Sequence, residues 1–131
     1  MTITDWGRFI SLHLRGDASN PRRQTSLLSA SAFDSLHAVG PKRPYYAGWT
    51  YTTREWARGS GPGDTGRVLI SEGDNGLWHS EAWMAPELDF AILVLINQGG
   101  PALSQPASLA SREAITSLAG MFSPMTGSRT R

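Results

Sequence analysis

The chain has 131 residues, about one domain, and 40% of them are hydrophobic, which is enough for a core and excludes a wholly disordered chain. Its 12 basic and 11 acidic residues are interspersed and give a net charge of +1, so charge offers no case for a nucleic acid or a membrane surface as a partner. There are no cysteines, which excludes disulfides, thiolate metal sites and a cysteine nucleophile.

The N-terminus lacks the pattern of a targeting segment. Asp5 and Arg8 lie inside an amphipathic pattern, whereas a secretory signal has a basic patch followed by an apolar stretch. The longest apolar run, Phe90 to Ile96, is far shorter than the ~20 residues of a membrane-spanning helix. We therefore expect a cytoplasmic protein if Met1 is the natural start.

Helical periodicity marks both ends of the chain. In the first segment the apolar side chains recur at the spacing of one helix face: Trp6, Phe9, Ile10, His13 and Leu14. A shorter helix is predicted between Ser29 and Val39. Helical spacing returns from Leu103 to Phe122, where Pro106 is acceptable only in the first turn.

The middle of the chain has the composition and alternation of β-strands. The predicted strands are Tyr45 to Tyr51, Arg67 to Ser71, Leu77 to Met84 and Phe90 to Ile96. The glycine-rich segment Arg58 to Gly66 predicts a mobile loop, and Asp74-Asn75-Gly76 predicts a tight turn. Because the last strand is apolar on both faces, we expect it to be central and covered on both sides.

These elements predict one α+β unit over residues 1–122. An antiparallel sheet of three or four strands would be packed by an N-terminal and a C-terminal helix. Residues 123–131 are predicted to form a flexible tail, and no internal repeat or domain boundary is visible.

Short motifs along the chain resemble, in their order and spacing, the C-terminal portion of one enzyme family. The segments that carry the resemblance are Asp5 to Gly16, Leu27 to His37, Tyr45 to Trp49 and Ser71 to Asn97. They are similar to those of the β-lactamase-related serine hydrolases, a group that includes class C β-lactamases, esterases and D-alanyl-D-alanine peptidases. The resemblance extends from Asp5 to Phe122, and it identifies the first segment with the helix that follows the family's catalytic tyrosine motif.

The resemblance implies acyl transfer, but two of the family's three catalytic motifs are missing here. The first is Ser-x-x-Lys, whose lysine accepts the serine proton. Lys42 is the only lysine of the chain, and Val39 stands three positions before it. The second is Tyr-x-Asn or Ser-x-Asn, and none of the three asparagines has a tyrosine or serine at that distance. We therefore expect no hydrolase activity from this chain alone.

The third motif is present in altered form. In the family it is a Lys or His, a small residue and a Gly, which bind the substrate carboxylate and help to form the oxyanion hole. Here Ser71 replaces the cation, and Glu72 brings negative charge to the place of a substrate carboxylate. The resemblance implies a degenerate catalytic set of Ser71, Glu72, Gly73 and Asp74, with the Asp74 backbone N–H as oxyanion donor, and substrate binding by Asn75, Trp78 and His79.

An independent catalytic triad is a further possibility. Ser71 and His79 would act with either Glu72 or Glu81, because His79 and Glu81 share one face of a strand. That face is expected to be partly solvated. The other histidines favour simpler interpretations, His13 as a core or boundary residue and His37 as a solvated one. The three histidines share no spacing, so we expect no metal site and no cofactor.

The remaining alternatives concern binding. Trp49, Trp78 and Trp83 either fill the core or line a ligand groove. A non-catalytic small-ligand or protein-interaction module is therefore the alternative to a hydrolase segment. Because the resembled fold continues into an N-terminal strand and a helical domain, we expect self-association or binding to a complementary N-terminal catalytic fragment. We expect neither a nucleic acid nor a membrane as partner.

Overall fold

The structure, a computed structural model, describes residues 2–25, 27–98 and 104–122. These ranges contain three α-helices and a five-stranded antiparallel sheet, so the predicted α+β class is confirmed. The elements are α1 (Ile3–Gly16), α2 (Ala30–Leu36), β1 (Tyr45–Tyr46), β2 (Trp49–Thr53), β3 (Arg67–Asp74), β4 (His79–Ala85), β5 (Phe90–Ile96) and α3 (Ser104–Phe122). The strands follow one another across the sheet in chain order. The predicted tail, residues 123–131, lies outside the described residues.

The first helix begins at Ile3, three residues before Trp6, the first apolar residue of its predicted face. Thr2 is the N-cap, and its hydroxyl accepts the backbone N–H of Asp5 at 3.1 Å. The Asp5 carboxylate accepts the Thr2 N–H in return, also at 3.1 Å. This reciprocal pair satisfies backbone donors that the first turn of a helix leaves free. It fixes the start of α1 beside the sheet.

Tyr45 to Tyr51, predicted as one strand, is a hairpin. Ala47 and Gly48 both have positive φ, 49° and 85°, and they reverse the chain between β1 and β2. Two successive positive φ angles are typical of the tight turn that matches strand twist. The two-residue strand β1 accounts for the difference between the predicted three or four strands and the observed five.

The sheet carries a hydrophobic core on each face. Helix α1 covers one face, where the buried cluster is Ile10, Leu14, Val39, Trp49, Leu69, Ala82 and Met84. Helix α3 covers the other, where the cluster is Ala57, Val68, Trp83, Ala85, Ile92, Ile115 and Ala119. Each large buried side chain contributes roughly 1.5–3 kcal/mol by leaving water. Two of the three candidate tryptophans, Trp49 and Trp83, are therefore core residues.

Strand β5 has the predicted bounds but not the predicted place. It lies at the edge of the sheet, with β4 as its strand neighbour among the described residues, so the expectation of a central strand is wrong. Both faces are covered as expected, because Leu93 packs toward α1 and Ile92 toward α3. A strand that is apolar throughout thus indicates that both of its faces are covered. It does not indicate how many strands lie beside it.

The glycine-rich loop before β3 is anchored, although the sequence predicted a mobile one. The Glu87 carboxylate accepts the backbone N–H groups of Gly59, Thr65, Gly66 and Arg67 at 2.8–3.3 Å. Gly66 has a φ of 74°, and a Cβ there would collide with the carbonyl oxygen of Arg54. Loop residues that look unconstrained in sequence are therefore held by one carboxylate.

Candidate functional site

A surface groove of about 580 Å³ lies where the start of α1 meets the ends of β3 and β4. It gathers six of the predicted site residues: Ser71, Glu72, Gly73, Asp74, Asn75 and Trp78. The opposite wall is formed by Thr2, Ile3 and Trp6 from the first turns of α1. Helix α1 packs on β4 and β5, and its first turns face β3 across the groove.

Strand register decides which side chains face the groove. Ser71 lies opposite Ala82 and Gly73 opposite Ser80, on the face that α1 covers. The Ser80 hydroxyl donates to the carbonyl oxygen of Gly73 at 3.2 Å. Glu72, one residue away, is directed to the α3 face, because successive side chains of a strand alternate. The hydroxyl of Ser71 therefore faces the groove, and the carboxylate of Glu72 lies on the other face of the sheet, 3.9 Å from His79 and from Arg112.

The turn between β3 and β4 shapes the end of the groove. The Asn75 side-chain oxygen accepts the backbone N–H groups of Leu77 and Trp78, at 3.1 and 2.9 Å. The Asp74 carboxylate accepts the N–H of Gly76 at 2.7 Å, and Gly76 has a φ of 86°. These bonds stabilise the turn that the sequence predicted. They leave Trp78 46% exposed in the groove, unlike the other two candidate tryptophans.

His79 is the predicted site residue that does not reach the groove. It points to the α3 face and is 1% exposed, so the expected partly solvated face is in fact buried. Its Nε2 lies 3.9 Å from carboxylate oxygens of Glu72 and Glu81, and its Nδ1 lies 4.0 Å from one of Asp74. Since Ser71 faces α1, Ser71 and His79 lie on opposite faces of the sheet, and this geometry does not support a triad.

Glu81 forms a buried polar contact that sequence reasoning missed. Its carboxylate accepts the indole N–H of Trp83 at 2.7 Å and the hydroxyl of Ser111 on α3. Arg112 lies 3.9 Å away. Ser111 lies on the buried face of α3 between Ala107 and Ile115. Because it is polar, the apolar spacing of the helix does not indicate that it is buried. Burying a carboxylate requires such partners, so this cluster is explained by packing.

A second buried network of polar side chains connects α1, α2 and β3. Nδ1 of His13 lies 3.0 Å from Nε2 of His37, and Nδ1 of His37 lies 2.9 Å from the Asp17 carboxylate. Arg67 lies 3.6 Å from that carboxylate and donates to the carbonyl oxygens of His37 and Val39. His37 is therefore buried, and the expectation that it is solvated is wrong.

The surroundings of these buried polar side chains lower the pKa values of His13 and Asp17. Burial, and then the neighbouring His37, lower the pKa of His13 from 6.5 to about 4. Burial acts to raise the pKa of Asp17, but hydrogen bonds from His37 and the Ser19 N–H and the charge of Arg67 outweigh it and lower the pKa. At neutral pH this group of side chains therefore contains an ionised Asp17 and a neutral His13. The group lies beside aromatic rings and away from the groove.

Chemically, the groove offers hydroxyls, backbone groups and an indole surface. Within residues 2–25, 27–98 and 104–122, no group of three or more acidic or histidine side chains could hold a metal ion. No helix in those ranges is long and apolar enough to cross a membrane. The arrangement can bind and orient a ligand, but it brings no general base to Ser71.

No family model, no curated protein and no solved structure matches this chain.

Proposed function

We propose that this chain is the C-terminal segment of a β-lactamase-related serine hydrolase, inactive alone. It contributes one wall of an acyl-transfer site, and the nucleophile comes from a segment that carries Ser-x-x-Lys. The complete site would hydrolyse a β-lactam, ester or peptide bond. Ser71 to Asp74 form the altered third motif of that wall.

The observation that carries this proposal is the meeting of α1 and β3 in one groove. In the resembled family the tyrosine motif directly precedes the helix to which α1 corresponds. Thr2 and Ile3, at the start of α1, line the same groove as Ser71 and Gly73. A second motif that precedes α1 would therefore lie next to the third motif, as acyl transfer at one carbonyl carbon requires.

The groove also supports inactivity of the chain alone. Ser71 lies in a groove whose described lining residues include no histidine and no lysine, and His79 faces α3 on the other side of the sheet. A serine hydroxyl without a neighbouring base is a weak nucleophile. The backbone around Gly73 could at most polarise a carbonyl oxygen.

The proposal predicts activity by complementation. The purified chain should neither react with a fluorophosphonate nor hydrolyse a chromogenic ester or cephalosporin. Mixing it with an N-terminal fragment that carries Ser-x-x-Lys and Tyr-x-Asn should raise ester hydrolysis by roughly 10² or more, the usual effect of completing an oxyanion site. Stopped-flow or steady-state absorbance measures the rate.

Variants of both fragments control this experiment. Ser71→Ala should lower the complemented rate without abolishing it, because Ser71 belongs to the substrate-binding wall and is not the proposed nucleophile, whereas alanine at the serine of the added fragment should abolish it. Covalent labelling of the isolated chain, lost in Ser71→Ala, would contradict the proposal and favour an independent hydrolase. A chain that binds a small ligand but never complements would favour a non-catalytic binding module, which the exposed indole of Trp78 also supports.

Self-association is a second expected property of the isolated chain. Strand β5 is an uncharged edge strand without proline, and Leu95 on it is exposed. Such edges pair readily with another strand, and a lysine on them prevents pairing. We expect the average mass in light scattering to rise with concentration, and Leu95→Lys to suppress that rise. A strictly monomeric chain at high concentration would contradict this expectation.

A further inference from the structure

The groove has an unusual charge for a site related to carboxylate-binding enzymes. Among the described residues that line it, none is basic. The resembled third motif begins with a cation, and here that position is the hydroxyl of Ser71. The carboxylates of Glu72 and Asp74 contribute no positive charge, and they lie on the α3 side of the sheet, within 4.0 Å of His79. An anionic ligand would find no basic side chain among the described lining residues to compensate the loss of its hydration.

Arg112 contacts one residue of the groove lining without supplying positive charge to the groove. Arg112 lies 3.9 Å from Glu72, but it belongs to α3 on the opposite face of the sheet. It is also shared with Glu81, again at 3.9 Å. Arg112 therefore offsets charge on the α3 side and does not line the groove.

The walls of the groove indicate what it can hold. Ile3, Trp6, Trp78 and Leu95 supply apolar and aromatic surface, and Trp78 and Leu95 are exposed there. Ser71 and Ser80 stand on the strand face between them and supply hydroxyls. A flat apolar ring that carries a neutral carbonyl group matches this combination, since the ring can lie on an indole while the carbonyl accepts a hydrogen bond.

We propose that the groove selects an uncharged aromatic or apolar carbonyl compound, an ester or amide, and discriminates against the corresponding carboxylate. This rests on the proposed function, because it assigns a substrate class to the same wall of the site. The completed hydrolase would act on neutral esters or amides. It would disfavour substrates whose free carboxylate must be bound beside the third motif, as in penicillins and cephalosporins.

Benzamide and benzoate test this on the purified chain, because they share size and shape and differ in charge. The indole N–H signals of the five tryptophans, assigned by Trp→Phe variants, report where each compound binds. We expect benzamide to shift the Trp6 and Trp78 signals with a millimolar dissociation constant, as is usual for so small a ligand. Benzoate should bind about tenfold more weakly or worse, because no basic side chain among the described lining residues compensates its charge.

Matched variants complete the test. Ser71→Lys restores a cation and should reverse the preference, so that benzoate binds at least as tightly as benzamide. Thr116→Lys adds the same charge at an exposed position of α3 and should leave the preference unchanged. Trp78→Ala should weaken binding of both compounds. Equal or tighter binding of benzoate by the unmodified chain, benzamide shifts outside the groove, or no shift up to the solubility limit would each overturn the inference.

The two proposals fail in different ways. Complementation with a preference for benzoate would contradict the substrate class and leave the hydrolase segment standing. A preference for benzamide without complementation would contradict the hydrolase segment and leave a groove selective for neutral carbonyl compounds.

Discussion

Replacing Glu87 with alanine is expected to lower the free energy of unfolding by about 3–4 kcal/mol, near the upper end for a single substitution. The carboxylate accepts four backbone N–H groups and the Thr65 hydroxyl, so its removal leaves several donors of the loop before β3 without a partner. Burial acts to raise the pKa of Glu87, but these hydrogen bonds outweigh it and lower the pKa. Urea unfolding followed by circular dichroism measures the loss.

A matched variant separates this anchor from a general effect of charge. Glu55→Ala removes a carboxylate whose side chain is 86% exposed and pairs with Arg58 at 3.2 Å, so it should cost well under 1 kcal/mol. Glu87→Gln keeps one acceptor oxygen and should lie between the two. Hydrogen exchange should accelerate at Gly66 and Arg67 in Glu87→Ala. Equal losses for the alanine variants at Glu87 and Glu55 would contradict the anchoring role.

Local pattern predicted much of this fold. The apolar spacing of α1, the bounds of β5 and the turn at Asp74-Asn75-Gly76 all depend on residues close in sequence, and all are found. The predicted groove residues came together for the same reason. Ser71 and Trp78 lie on one hairpin, and a hairpin brings its own residues together whatever surrounds it.

Contacts between distant segments escaped prediction. His37 is polar and follows a helix, features that favour solvent, yet Asp17 and Arg67 bury it from two other elements. Glu81 lies in a strand at a position where the alternating pattern predicts exposure to solvent. The hydroxyl of Ser111, thirty residues later on α3, instead donates a hydrogen bond to its buried carboxylate. The residues next to His37 and Glu81 in sequence do not identify their hydrogen-bonding partners, because those partners come into contact only when the helices pack on the sheet.

The place of β5 shows a different limit. Its continuous apolar run reflects burial of both faces, which α1 and α3 provide. Whether a strand is central depends on its neighbours in the sheet, and side-chain polarity does not encode hydrogen bonding along the edge. An edge of this kind, without charges or proline, is the feature that the expected self-association depends on.

Acidification below pH 6.5 is expected to destabilise the protein through the buried His13. The pKa of His13 falls from 6.5 in the unfolded chain to about 4 in the folded one, so the unfolded state binds the extra proton between these values. Stability is then fully present above pH 6.5 and declines as the pH falls toward 4. The difference in pKa corresponds to about 2–3 kcal/mol when allowance is made for partial access of water. Folding also lowers the pKa values of Glu87 and Asp17, so these carboxylates add to the loss of stability as the pH falls through their ordinary values of 4.5 and 3.8.

This acid sensitivity arises in the buried network of His13, His37 and Asp17. Protonating His13 places a charge 3.0 Å from His37 among aromatic rings, so the contact between α1 and α2 should weaken first. Urea unfolding across this pH range should show the decline, and His13→Gln, which keeps a side-chain donor but does not titrate, should flatten it. Asp5→Asn removes an exposed carboxylate that titrates below the window and should keep the decline. An NMR titration of the His13 ring near its ordinary value of 6.5, or a decline that survives His13→Gln, would show that another group is responsible.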